Sequence, residues 1–228
     1  MKTQLEFHIE EIEKRLERLQ EMSVSSFMKA MKAFEDLDRE SAAEVKEFTD
    51  DIEELQHKIE GDVFETIARR QPVAKDLRKL ATYLQVSYHL YRIGRFAHKI
   101  AHVTRLSKGI EHFKKLESLP YLADLARKTL DISMKALLKE DLSEFKKLEE
   151  MEAESDKETA EMFEEIVEYL HKRNDITTMA LFYVIVGRYC ERAADHAFEI
   201  AESAAYIVTG KRMKLGVAYK KGNDFGPH

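Results

Sequence analysis

The chain has 228 residues, of which only 8 are glycine and 3 are proline; average usage would give about 16 and about 11. So few helix breakers exclude a turn-rich all-β fold and disfavour an α/β alternation. Charged residues make up 35% and hydrophobic residues 44% of the chain, which is typical of amphipathic helices and not of disorder. The single cysteine excludes an intrachain disulfide and a multi-cysteine zinc site, and the net charge of −6 disfavours nucleic-acid binding.

The hydropathy pattern gives no sign of a membrane segment. The longest apolar run covers the eight residues 179–186, well below the roughly 20 residues that span a bilayer. The first residues contain no apolar signal segment. We therefore expect a cytoplasmic protein without an integral membrane segment.

The first half of the chain predicts three helices. Apolar residues recur at three- and four-residue spacing over about residues 3–36. A second helix is expected to begin at Ser41, where Glu44 completes a capping box, and to end at the turn before Pro72. A third helix follows over about residues 74–105.

The second half repeats this order. Residues 107–120 contain a glycine and a proline and predict a connector. Three further helices are expected, and Gly210 is well placed as the C-terminal cap of the last one. Their predicted ranges are about 121–139, 143–172 and 177–209.

An internal repeat relates the two halves. Residues 31–33 and 134–136 are both Met-Lys-Ala, at an offset of 103. Four residues of the third predicted helix recur in the sixth at an offset of 100: Arg92, Ala97, Ile100 and Ala101 match Arg192, Ala197, Ile200 and Ala201. The repeat predicts an all-α fold of two tandem three-helix bundles, residues 1–106 and 120–210, followed by a flexible tail over residues 211–228.

Three segments carry a resemblance to a known family. The string E-R-A-A-D-H-A-F-E-I-A at 191–201 resembles the signature E-R-I-G-D-H-A-x-N-I-A of the PhoU family of phosphate-uptake regulators. The string R-Q-P-V-A-K-D-L-R at 70–78 resembles that family's first-repeat turn, and residues 206–210 resemble the end of its last helix. The resemblance covers about residues 3–212.

The resemblance implies a regulator and not an enzyme. Its expected role is negative control of a phosphate ABC transporter, by binding to the transporter's ATPase subunit, and in bacteria also control of a sensor kinase. It also implies two three-helix bundles, a cytoplasmic location and a homodimer. Some members of the family bind multinuclear metal clusters through E/D-x-x-x-D motifs.

Acidic side chains form a stripe on each of two predicted helices. An α-helix turns about 100° per residue, so four acids of the sixth helix fall within about 80° and three of the fifth within about 60°. Carboxylates at close range repel one another, and a hard or borderline cation relieves that repulsion. We expect a metal ion (iron, zinc or magnesium) bound by Glu152, Asp156, Glu191, Asp195 and Glu199, with Glu149 and Glu202 as possible further ligands. The alternative is a solvated acidic face.

The first repeat departs from this pattern. The residues that align with Glu191, Asp195, Glu199 and Glu202 are Tyr91, Arg95, Lys99 and His102. We therefore expect no metal in the first bundle, and expect Arg95 and Lys99 to form ion pairs with Glu53 and neighbouring acids of the second helix. The alternative is an anion site, with phosphate as the candidate ligand, formed by Arg92, Arg95 and Lys99.

Other candidate sites are weaker. Two E-x-x-H strings (Glu54 to His57, Glu168 to His171) occur at the frequency expected by chance. His98 and His102 lie one turn apart but supply too few ligands for zinc. His196, about 140° around the helix from Glu191, is expected to lie outside the acidic stripe, and Cys190 is expected to be a core thiol.

Three classes of function follow from these features. A regulatory binding protein of the PhoU kind is favoured. The alternatives are a carboxylate-bridged di-metal helical-bundle enzyme and a helical scaffold protein without a site. The chain contains no P-loop and no glycine-rich phosphate loop.

Overall fold

The computed structural model describes residues 2–215, apart from the side chains of residues 46 and 47. Six helices make up this part of the chain, which contains no strand: α1 (Gln4–Glu35), α2 (Arg39–Arg70), α3 (Ala74–Leu106), α4 (Ser118–Lys139), α5 (Phe145–Lys172) and α6 (Thr177–Thr209). The all-α prediction is confirmed. None of these helices is long and apolar enough to cross a bilayer.

Two predicted helix starts are wrong by a few residues. The N-cap of α2 is Asp38, whose carboxylate accepts hydrogen bonds from the backbone N–H groups of Glu40 and Ser41, both at 3.0 Å. The capping box predicted at Ser41 is therefore wrong, because Asp38 already satisfies the first turn. The start of α4 lies before Pro120, since a proline in the first helical turn sacrifices no intrahelical hydrogen bond. Gly210, with φ of 72°, caps α6 as predicted.

The helices form two bundles. In the first, α1, α2 and α3 all pack extensively against one another. In the second, α4 and α6 form the most extensive pair, while α5 packs less extensively on both. Positions of α3 and α6 that the 100-residue offset relates are buried in both bundles: Tyr83 and Tyr183, Val86 and Val186, Leu90 and Cys190, Ala97 and Ala197, Ile100 and Ile200.

The bundles meet where α3 and α6 run antiparallel. Three contacts mark the register: Arg78 with the Ile207 carbonyl, His89 with His196, and Phe96 with Tyr189. The repeat aligns His89 with Tyr189 and His196 with Phe96, so it relates the His89–His196 contact to the Phe96–Tyr189 contact. An approximate twofold axis therefore passes between the two helices, near Arg92 and Arg192.

The connector between the bundles is a structured segment. His112 Nε2 lies 3.1 Å from the carbonyl oxygens of both Phe34 and Glu35, at the end of α1. Its Nδ1 lies 2.9 Å from the Tyr183 hydroxyl, and Lys114 pairs with Glu165 on α5. The connector thus covers the carbonyls at the C-terminus of α1 and ties them to the second bundle.

The described part of the C-terminal segment packs against α6. Leu215 is buried, and its N–H donates a 2.9 Å hydrogen bond to the Glu202 carboxylate. Lys214 pairs with the same carboxylate at 3.3 Å. Residues 216–228 of the predicted flexible tail lie outside the described residues.

Candidate functional site

The predicted carboxylates of the second bundle lie on α5 and on the middle of α6. Glu152 and Glu191 are half-buried, whereas Asp156 and Asp195 are exposed. The Glu191 carboxylate forms a 2.5 Å ion pair with Arg188, one turn earlier on the same helix. A cation at this position would compete with Arg188 for Glu191.

The first bundle shows how these positions face each other. The Tyr91 hydroxyl of α3 donates a 3.3 Å hydrogen bond to the Glu53 carboxylate of α2. The repeat aligns Tyr91 with Glu191 and Glu53 with Asp156. The arrangement of the first bundle therefore supports Glu191 and Asp156 as facing positions in the second.

The predicted ion pair between Glu53 and the basic residues of α3 is wrong. Within the described part of α2, no acidic side chain pairs with Arg95 or Lys99, because position 91, and not 95, lies opposite Glu53. The anion site of Arg92, Arg95 and Lys99, offered as the alternative, stays a prediction. The Arg92 guanidinium lies over the Tyr88 and Phe96 rings, 5.9 and 5.6 Å from their centroids.

The acidic stripe of α6 does not converge on one point. At about 1.5 Å of rise per residue, Glu202 lies about 16 Å along the helix from Glu191, farther than one ion can bridge. Glu199 and Glu202 both line a groove beside α3. The predicted ligands of α6 therefore lie in two separate places, although their angular positions on the helix are similar.

Glu199 instead forms a cluster with two histidines. Its Oε2 lies 2.9 Å from His89 Nδ1 on α3 and 3.0 Å from His196 Nδ1 on its own helix. The two Nδ1 atoms are 3.0 Å apart. The prediction that His196 lies outside the acidic stripe is wrong. His196 lies about 140° around the helix from Glu191, but Glu199 is three residues from His196 and shares its face.

The surroundings of this cluster favour neutral imidazoles. Burial lowers the pKa of His196 to about 4, with the nearby His89 adding to the effect. Burial also lowers the pKa of His89, against the opposing influence of Glu199 and Glu202. The Phe96 ring stacks on His196 with centroids 5.6 Å apart. Both rings are therefore uncharged near neutral pH and have a nitrogen lone pair available as a metal ligand or hydrogen-bond acceptor.

Within residues 2–215 this is the one group of three His, Cys, Asp or Glu residues whose ligand atoms all lie within 4.8 Å of one another. It borders a groove of about 620 Å³ between α3, α6 and the segment after Gly210. The groove is lined by Leu84, Tyr88, Glu202, Tyr206, Met213 and Lys214, among others. Sequence reasoning missed the cluster because its two histidines are 107 residues apart.

The remaining candidates have simpler roles. Cys190 is buried 3.7 Å from the Met31 sulfur, and burial raises its pKa to about 12, which confirms the prediction of a core thiol. The two E-x-x-H strings are at the surface, where Glu54, His57, Glu168 and His171 are all exposed. A di-metal centre of the ferritin type needs such strings inside a bundle, so these cannot form one.

Comparison with known proteins agrees with the internal repeat. The family profile described as "PhoU domain" matches the chain twice, over residues 16–104 and 119–204. The phosphate-specific transport system accessory protein PhoU homolog 1 of Thermotoga maritima is 32% identical over 188 residues, covering 81% of this chain and 80% of that protein. The PhoU homolog of Clostridium acetobutylicum is 25% identical over 211 residues, covering 92% and 96%.

Two solved structures share the fold. The crystal structure of PhoU from Pseudomonas aeruginosa superimposes with a TM-score of 0.86 at 24% identity, covering 91% of this chain and all of that one. The phosphate transport system regulatory protein PhoU from Streptococcus pneumoniae gives 0.83 at 22% identity, covering 93% of this chain and all of that one. Because the PhoU domain matches most of the chain and the Thermotoga maritima relative is 32% identical over 81% of it, the chain belongs to the PhoU family.

Proposed function

We propose that this chain is an accessory regulator of a phosphate-specific transport system, which restrains a phosphate ABC transporter by binding its ATPase subunit. The observation that carries the proposal is the double match to the PhoU domain, one match for each three-helix bundle. Relatives that align over most of the chain are named as accessory proteins of that transport system.

The proposed activity is binding and not catalysis. The di-metal enzyme loses its support with the exposure of both E-x-x-H strings. A helical scaffold without a site would have no need of the His89, His196 and Glu199 cluster, whose members come from two helices. The protein would act in the cytoplasm, where the ATPase subunit of an ABC transporter faces it, and a sensor kinase is the second proposed partner.

A homodimer is part of the proposal. Large apolar side chains remain exposed in pairs one helical turn apart: Phe163 with Val167 on α5, and Leu181 with Ile185 on α6. Covering such side chains in a dimer would remove apolar surface from water. Sedimentation equilibrium of the full chain should give twice the chain mass at micromolar concentration, and a monomer there would contradict the dimer.

A bound cation in the second bundle is also proposed, with Glu152, Asp156, Glu191 and Asp195 as ligands. Their carboxylates would have to turn toward a common point to bind it, because within residues 2–215 only the histidine cluster has three ligand atoms within 4.8 Å of one another. The Tyr91–Glu53 hydrogen bond supports the geometry, because it joins the equivalent positions of the first bundle. The donor set is all carboxylate oxygen, which suits hard or borderline cations. Such an ion would hold α5 to α6, which pack on each other less extensively than α4 and α6 do.

The direct test is binding to the ATPase subunit of the phosphate transporter from the same organism. The subunit is immobilised, the purified full chain is passed over it, and the ATPase subunit of an unrelated ABC importer is the control surface. Saturable binding to the phosphate subunit alone supports the proposal. Equal binding to both surfaces, or to neither, would contradict it.

A further inference from the structure

The three polar atoms of the cluster formed by His89, His196 and Glu199 cannot all form hydrogen bonds with one another. Three potential acceptor atoms, two Nδ1 and one Oε2, form a triangle with sides of 2.9, 3.0 and 3.0 Å. A carboxylate brings no hydrogen, and an imidazole ring in either charge state brings at most one at Nδ1. If both Nδ1 atoms carry hydrogens, the edge between them has two donors. If only one does, at least one edge joins two lone pairs.

A cation above the triangle resolves this frustration, because all three lone pairs can then point to one centre. We propose that His89, His196 and Glu199 bind a divalent ion of the zinc class between the two repeats. Bonds of about 2.0–2.1 Å at a tetrahedral ion place its ligand atoms about 3.3 Å apart. The triangle would need to expand by only about 0.3 Å along each edge to reach that spacing.

The donor set distinguishes this site from the carboxylate site of the second bundle. Two imidazole nitrogens with one carboxylate form a combination found at zinc sites, whereas oxygen ligands alone suit magnesium, calcium and manganese. Three protein ligands leave a fourth tetrahedral position open. The adjoining groove of about 620 Å³ can supply water or a ligand to that position.

The ion would join the two bundles. His89 belongs to α3 and His196 to α6, the helices that pack across the approximate twofold axis. At the equivalent crossing, Phe96 and Tyr189 stack with centroids 5.8 Å apart and offer no metal ligand. The fold can therefore make this crossing with aromatic packing alone, and the histidine pair adds a metal-dependent clamp on one side only.

The equivalent crossing also supplies a matched variant. In the repeat, His89 aligns with Tyr189 and His196 with Phe96, so the double substitution His89→Tyr with His196→Phe installs the residue pair that already packs at the other crossing. Tyr189→Phe is the control, since it alters the crossing that has no ligands. All chains also contain Glu191→Gln and Asp195→Asn, which inactivate the proposed carboxylate site.

The experiment removes metal from the full chain with a chelator, adds Zn²⁺ and measures zinc per chain after desalting, together with the melting temperature. The parent chain and the Tyr189→Phe control should bind one zinc per chain and melt at a higher temperature with zinc than without it. The double histidine variant should bind none and show no zinc-dependent shift. Glu199→Gln should weaken zinc binding by at least about 100-fold, because loss of an outer-shell partner alone already costs about 10–100-fold.

Two further measurements check that the variants fold and that the metal has the expected ligands. Circular dichroism checks that the variants keep their helices, and His89→Gln replaces the double variant if that protein does not fold. Co²⁺ in place of Zn²⁺ reports the ligand geometry through its visible absorption, and the tetrahedral bands should vanish with the histidines. No zinc on the parent chain, or equal zinc on the parent and histidine variants, would overturn the proposal.

Discussion

Tyr83 and Tyr183 are 100 residues apart and occupy equivalent buried positions in the two bundles, each with almost no exposed surface. The Tyr83 hydroxyl donates a 2.5 Å hydrogen bond to the Glu13 carboxylate of α1. The Tyr183 hydroxyl instead meets His112 Nδ1 in the connector at 2.9 Å. The repeat thus keeps the buried tyrosine and changes its partner from a charged group to a ring nitrogen.

Because the partners differ, removing the two hydroxyls should lower the free energy of unfolding by unequal amounts. Tyr83→Phe takes a donor from a carboxylate and should lower the free energy of unfolding by about 1.5–3 kcal/mol. Tyr183→Phe removes a hydrogen bond to a ring nitrogen and should cost about 1 kcal/mol. Urea unfolding of both variants measures the two values. A larger loss for Tyr183→Phe would contradict the assignment of partners.

Cys190 should be inert in the folded protein. It aligns with the buried Leu90 of α3, lies in the core itself, and has a pKa raised by burial to about 12. The thiolate is the reactive form, so a thiol reagent at pH 8 should modify the native chain only at the rate of unfolding. In denaturant the same reagent should titrate one thiol per chain, which serves as the internal control. Rapid modification of the native protein would contradict the core position.

If the proposed carboxylate site binds an ion, replacing two of its ligands should remove that ion. Glu191→Gln with Asp195→Asn should remove at least one oxygen-bound ion per chain, because neutral amides are weaker cation ligands than carboxylates. At an ion concentration 100 times the dissociation constant, that loss lowers stability by about 2.7 kcal/mol. Without metal, the variant should stay within about 1 kcal/mol of the wild type, because it loses the largely exposed Glu191–Arg188 ion pair. Elemental analysis and thermal melts with and without chelator measure both effects.

The control for that pair is Glu54→Gln with Glu168→Gln, which neutralises two exposed acids outside the proposed site. This control variant should keep the wild-type metal content and the wild-type response to chelator. If the wild type, loaded with excess metal, holds none, or if both double variants lose metal equally, the acidic stripe is a solvated face.

Periodicity and the repeat were sufficient to predict the helices. Local spacing locates apolar stripes well, so all six helices and the Gly210 cap follow from the sequence. The start of α2 does not, because Asp38 and Ser41 are both good caps and only the folded turn decides between them. Helix ends depend on such close competition more than helix interiors do.

The histidine cluster depends on tertiary register and was not predictable in the same way. His89 and His196 meet only because α3 and α6 cross antiparallel near Arg92 and Arg192. The available clue was that both histidines replace aromatic residues of the other repeat. Similarly, the Tyr91–Glu53 contact required knowing which position of α3 lies opposite α2.

Restraint of phosphate uptake by this chain can be measured directly in cells. The gene is deleted, and uptake of radiolabelled phosphate is measured in phosphate-replete cells with and without a plasmid copy. We expect faster uptake in the deletion strain and a return to the original rate with the wild-type copy. An uptake rate that is unchanged by the deletion, in cells whose phosphate ABC transporter is expressed, would contradict it.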